Sequence, residues 1–199
     1  MQASTKEDNG GDFPKPWVRT VGLRDFRNYA DQRVELGEGF NVVTGENAQG
    51  KTNFLESLYM VSTTRLLRGM RDSEAIRDSS DRASISVLME PSGTELGLEL
   101  ERGSRKRGLL NGLSLPRASD LIGRLRCVCI SSADMEIIRS EPAERRLFLD
   151  LELSAMSPGY LRHLSHYKRA TDQRNALLKQ AREGHVPDEA FGVASPRCC

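Results

Sequence analysis

Hydrophobic and polar positions along the chain switch between a period of two and a helical period, and the switches outline the elements. From Trp17 to Leu23 apolar residues alternate with polar ones, with Val18, Val21 and Leu23 on or near one face, which predicts a first strand. Val34 and Leu36, then Phe40, Val42 and Val43, predict a second and a third short strand, with Gly37 and Gly39 as the turn between them. Phe54, Leu55, Leu58 and Tyr59 follow at helical spacing and predict an amphipathic helix from Lys51 to about Ser62.

From Ala83 the period returns to two. Ile85, Val87 and Met89 form one alternating set and Leu96, Leu98 and Leu100 another. Asn111-Gly112 between Leu110 and Leu113 supplies the pair typical of a tight hairpin, whose two turn residues both take positive φ. The stretch predicts an antiparallel meander. Leu121 and Ile122 predict a short helix, and Cys127 to Ser131 another buried strand.

Ser140 as a cap and Pro142 in the first turn predict a helix bearing Leu147, Phe148 and Leu151, and Ser157-Pro158 repeats that start signal. Tyr160, Leu164, Tyr167, Thr171, Arg174, Leu178 and Ala181 then recur at gaps of four and three, a heptad seam that runs to Gly184. One such helix cannot bury its stripe alone and calls for a partner helix. The expected organisation is a disordered tail over 1–16, a head over 17–139, the start of a helical arm over 140–184 and an irregular tail over 185–199.

Composition narrows this little. The net charge of +1 averages over local clusters: Arg65, Arg68 and Arg71; Arg102, Arg105, Lys106 and Arg107; Arg139, Arg145 and Arg146; Arg162, Lys168, Arg169 and Arg174. Each is either a solvated face or a set of phosphate contacts. No apolar run approaches the ~20 residues needed to span a membrane, and residues 1–16 lack a signal-peptide core. Of the four cysteines, Cys127 and Cys129 read as buried thiols on a strand, and Cys198 and Cys199 close the chain. No CxxC pair exists and His163, His166 and His185 lie far off, so the spacing offers no zinc pattern. The expectation is a cytoplasmic protein.

The chemistry concentrates in Gly45-Glu46-Asn47-Ala48-Gln49-Gly50-Lys51-Thr52. Gly45 and Gly50 permit backbone conformations closed to residues with a Cβ, so that successive N–H groups can face one anion. The helix beginning near Lys51 adds its positive N-terminal end. Lys51 would reach the β- and γ-phosphates of ATP, and the Thr52 hydroxyl would coordinate Mg²⁺. Hydrolysis further requires a carboxylate on a second strand. No run of apolar residues ending in Asp is present; Arg146-Leu147-Phe148-Leu149-Asp150 comes nearest, but its charged neighbours suit an amphipathic helix.

Several segments together resemble one family. Asp25-Phe26-Arg27-Asn28-Tyr29 is similar to the Asn-Phe-Arg-Asn-Tyr opening of RecF proteins. Gly45 to Thr52 with Asn53, Leu55 and Glu56 resembles their loop and the helix after it, and Asn111-Gly112 their short hairpin. Glu141 to Asp150 resembles their Pro-x-x-Arg-Arg-x-Phe-Leu-Asp, and Tyr160, Tyr167 and Gln173 to Lys179 the start of their coiled-coil arm. Ala48 stands where the family usually has Gly. Ile130-Ser131-Ser132-Ala133-Asp134 keeps only the Asp of their Phe-x-Pro-Glu-Asp.

The resemblance implies an α/β fold: the N-terminal half of an ABC/SMC-type P-loop ATPase head, with an antiparallel β-meander and the start of a coiled-coil arm. It implies a loop site at Gly45 to Asn53 for ATP and Mg²⁺, with binding to single-stranded and gapped double-stranded DNA. It further implies an ATP-dependent homodimer, recombination mediator partners, and roles in recombinational repair, replication restart and the SOS response. The family's slow DNA-dependent ATPase draws on a Walker-B acid and a signature motif that this sequence lacks, so hydrolysis by the chain alone is not expected. Family members have about twice this length, which suggests a truncated or frameshifted product, or a sequenced fragment. A small-molecule kinase and a non-functional fragment are the alternatives; the meander after Tyr59, in place of a βαβ crossover, argues against the kinase.

Overall fold

The computed structural model describes residues 15–67, 71–130 and 141–182. They fall into two compact units that meet in sequence between Ile130 and Ser131.

The first unit is built on a six-stranded sheet: β1 (Trp17–Phe26), β2 (Tyr29–Glu35), β3 (Arg82–Glu90), β4 (Thr94–Glu101), β5 (Arg107–Leu110) and β6 (Leu113–Ser114), in the order β2-β1-β3-β4-β5-β6. Every neighbouring pair is antiparallel. The register follows from the alternation. Val21 lies opposite Val87 and Val87 opposite Leu96, while Leu23 lies opposite Ile85 and Ile85 opposite Leu98. All six side chains are buried, so apolar rows cross the sheet on one face. A slip of one residue would turn both rows outward.

Helix α1 (Lys51–Thr63) packs on β3 and β4 through this unit's core, contributing Phe54, Met60 and Val61. The helix matches the predicted span, but its buried face is rotated: Leu55 is exposed, whereas Glu56 and Ser57 are buried. Ser62 donates from its hydroxyl to the Leu125 carbonyl at 2.8 Å, tying the end of α1 to the segment after a short 3-10 turn at Ala118–Leu121. The Asn111-Gly112 turn forms as predicted, with φ of 50° and 78°. Asn111 also accepts from the Glu95 N–H and donates its own N–H to the Glu95 carbonyl, both at 2.8 Å, which locks the hairpin to β4.

Two predicted strands do not form. Residues 40–44 pair with no described strand, and Phe40 and Val42 stand exposed. Cys127 to Ile130 is likewise outside any sheet, with Val128 and Ile130 exposed and Cys127 and Cys129 only half-buried, so the expectation of buried thiols on a strand fails for these residues. Both segments keep an apolar strand-like composition. Composition makes a strand possible, and only a hydrogen-bonded neighbour makes one.

The second unit contains α2 (Pro142–Met156) and α3 (Pro158–Arg182), which pack on each other. Glu141 occupies the N-cap of α2, with Pro142 in the first turn; the expected cap, Ser140, lies outside the described residues. The heptad stripe on α3 is only partly covered: Tyr160, Leu164, Thr171 and Ala181 are half-buried, whereas Tyr167 and Leu178 are exposed. The tails over 1–14 and 183–199, with Gly184, His185, Cys198 and Cys199, and the Ser131 to Asp134 segment also lie outside the described residues.

Candidate functional site

The loop preceding α1 curls because it uses backbone conformations that most residues avoid. Gly45 has φ 148°, Gly50 φ 102° and Ala48 φ 66°. The glycines reach these values without strain. Ala48 enters the left-handed region at a cost of about 1 kcal/mol. Gly50 is required twice over, since a Cβ there would lie 2.5 Å from Asn28 Nδ2 and 2.7 Å from its Oδ1.

Gly50 also serves as the N-cap of α1, so the loop delivers the chain directly into the helix N-terminus. The Gln49 side chain folds inward and accepts from the Glu46 N–H at 3.2 Å. Lys51 lies in the first turn of α1, and its ammonium donates to the carbonyls of Gly45 at 2.7 Å and Glu46 at 2.6 Å, which holds Nζ over the loop. Thr52 is exposed in the same turn, and Asn53 follows it. A helix N-terminus, a curled backbone and an ammonium held above it form a cradle suited to a phosphate chain. These groups fit the phosphates of a nucleotide: Lys51 can neutralise phosphate charge, and the exposed Thr52 carries a hydroxyl of the kind that could ligate a divalent ion.

The sequence did not reveal what supports this loop from behind. The two-residue turn between β1 and β2, Arg27-Asn28, starts with Arg27 at φ 52° and presses against both the loop and α1. Arg27 forms a two-pronged ion pair with the buried Glu56 carboxylate, Nε to Oε2 at 3.1 Å and Nη2 to Oε1 at 3.2 Å, and donates from Nη1 to the Glu74 carbonyl at 2.8 Å. Asn28 donates to the Gln49 carbonyl at 3.1 Å and accepts from Asn53 Nδ2 at 2.8 Å. The Tyr29 hydroxyl donates to the Gly50 carbonyl at 3.1 Å. Burial pushes the Tyr29 phenol above its ordinary value, which keeps it a proton donor throughout the neutral range. Phe26 is fully buried and so unavailable to stack on a base.

Of the basic clusters, the one from Arg102 to Arg107 takes partners within the fold; Arg68 and Arg139 of two others lie outside the described residues. Arg102 donates to the carbonyls of Ser80, Ile76 and Arg77, and Lys106 to the Thr64 carbonyl and the Asp72 carboxylate. Arg107 pairs with Glu99, Arg117 with Asp120, and Arg82 with Glu101. Asp150 lies on α2, accepting from the Tyr160 hydroxyl at 2.8 Å and pairing with Lys168 at 3.2 Å; it fastens the two helices of the second unit. Its bond to Asp150 raises the Tyr160 phenol above its ordinary value. Among the described residues no group of three His, Cys, Asp or Glu side chains could hold a metal ion, and no helix is long and apolar enough to cross a membrane.

The sheet, loop and helix have the fold of the N-terminal half of a P-loop ATPase head of the ABC/SMC type. A family described as "AAA domain" matches residues 20–155. The chain is 40% identical over 164 residues to DNA replication and repair protein RecF of Lachnospira eligens, covering 81% of this chain and 45% of that protein. To RecF of a Synechococcus strain it is 38% identical over 180 residues, covering 88% and 47%. A structure of the recombination mediator protein RecF with ATP superimposes with a TM-score of 0.82 at 27% identity, over 90% of this chain and 49% of that one. A Smc head domain with an extended coiled coil from Pyrococcus furiosus shares the fold at a TM-score of 0.53, with 21% identity over 85% of this chain and 48% of that one. The chain belongs to the AAA-domain family and matches RecF proteins over their N-terminal portion. It spans about half the length of the curated relatives it matches.

Proposed function

We propose that this chain is the nucleotide-binding half of a RecF-type DNA-repair ATPase. Gly45 to Gly50 would cradle the phosphates of ATP, Lys51 would neutralise them, and Thr52 would hold Mg²⁺, with Asn53 securing the loop from the helix side. The observation that carries this reading is the Lys51 ammonium held 2.6–2.7 Å from the loop carbonyls at the N-terminus of α1. The whole protein would act as an ATP-controlled clamp at single-strand gaps and junctions, dimerising with ATP and working with recombination mediators in repair, replication restart and the SOS response. Its grip on DNA would come from Lys and Arg contacts to phosphates and weaken steeply with salt.

The test is a thermal melt of the chain with and without MgATP. At a hundred times the dissociation constant, binding should add about 2.7 kcal/mol, a rise of several degrees in Tm. Lys51→Ala should abolish the rise while leaving the ligand-free melt in place. An equal rise in Lys51→Ala would contradict the assignment.

A further inference from the structure

A trans peptide is planar, with its C=O and N–H pointing in opposite directions. A hydrogen bond to a carbonyl therefore also fixes the direction of the N–H across the same peptide bond. Two consecutive peptides of the loop are held in this way from behind. The Gln49 carbonyl, which shares a peptide with the Gly50 N–H, accepts from Asn28 Nδ2 at 3.1 Å. The Gly50 carbonyl, which shares one with the Lys51 N–H, accepts from the Tyr29 hydroxyl at 3.1 Å and from the Phe54 N–H at 2.9 Å.

We propose that Asn28 and Tyr29 are positioning residues for phosphate binding: by tethering these two carbonyls they aim the Gly50 and Lys51 N–H groups at the phosphate chain of the nucleotide. The inference rests on the loop reading above and adds to it two residues outside the loop. Three features support it. Asn28 is itself held by Asn53 on the first turn of α1, so its amide is oriented before any ligand arrives. The same side chain occupies the space into which a Cβ at position 50 would project, so the loop and the turn fit only as a pair. Arg27 anchors the turn to Glu56 on α1, which fixes the distance between the tethers and the loop. Preorganised donors give up less free energy to ordering when the ligand binds.

The experiment compares the wild-type 199-residue chain with Tyr29→Phe, Asn28→Ala and Lys51→Ala. It measures MgATP affinity by fluorescence titration, the ligand-free melt, and the amide proton shifts of Gly50 and Lys51. Each tether lost should weaken MgATP about three- to tenfold, the usual range for a neutral hydrogen bond, with Tyr29→Phe moving the Lys51 amide resonance and Asn28→Ala that of Gly50. The ligand-free Tm should stay within a degree or two of wild type. Binding lost in Lys51→Ala but undiminished in Tyr29→Phe and Asn28→Ala would overturn this inference alone. Binding undiminished in Lys51→Ala would overturn the loop assignment and this inference with it. A weakening matched by collapse of the ligand-free melt would show that the two residues only hold the fold.

Discussion

The loop at residues 45–50 is flanked by two apolar segments with opposite fates. On its C-terminal side α1 seats Phe54, Met60 and Val61 in the core, against the rows of β3 and β4. On its N-terminal side residues 40–44 are equally apolar, yet Phe40 is fully exposed, Val42 is 83% exposed, and no described strand pairs with them. A helix satisfies its own backbone and needs only a surface to lie on, which the meander provides. A strand must borrow its hydrogen bonds from a neighbour, and the meander's ladder does not extend to this segment. The loop is therefore secured through α1 and through the Arg27 turn rather than through the chain that enters it.

The contrast can be broken from the secured side. Phe26 ends β1, is fully buried, and forms a bridge with Ile76 just before the Arg27 turn. Phe26→Ala should cost about 3–5 kcal/mol in urea unfolding, the range for an aromatic removed from a packed core. A loss under about 1 kcal/mol would mean that the sheet does not anchor the turn.

The Arg27–Glu56 pair should come next. Glu56 is 3% exposed and Arg27 21%, so Arg27→Met would leave a buried carboxylate without its guanidinium. The expected cost is about 3 kcal/mol, at the low end for a buried pair because Arg27 reaches solvent. Replacing both residues by Met should recover most of that loss, since an apolar pair of similar volume carries no charge to desolvate. A double variant no more stable than the single one would show that the pair holds the turn by geometry that Met cannot reproduce.

These two residues also show where sequence reading reaches its limit. The loop, the span of α1, the meander and the Asn111 turn were legible because each rests on local rules: glycine spacing, apolar period and turn chemistry. The resemblance singled out the segment from Asp25 to Tyr29 and the Glu56 position, but not that Arg27 and Glu56 meet. That contact joins the β1–β2 turn to α1 between residues 29 apart in sequence, and no periodicity encodes it. The cluster from Arg102 to Arg107 was open in sequence between a solvated face and a set of phosphate contacts, and its residues take separate partners, Arg102 on carbonyls and Arg107 on Glu99, which charge density alone does not encode. Phe40 to Val43 and Cys127 to Ser131 read as strands from their apolar pattern, and strand pairing is the one property a local pattern cannot carry.

The smallest expected effect falls on the unsecured side. Phe40→Ser removes a large aromatic, a change that would be severe at Phe26, yet here the side chain has no burial to lose. Stability should stay within about 0.5 kcal/mol of wild type, the usual range for a surface substitution away from caps and ion pairs. Solubility should rise instead, because an exposed apolar strand-like segment offers unpaired backbone to other chains. The pair of substitutions makes the comparison quantitative: the same residue type, 14 positions apart, should differ by several kcal/mol. If Phe40→Ser lost as much stability as Phe26→Ala, residues 40–44 would have a packed partner in solution. The loop would then be held from both flanks.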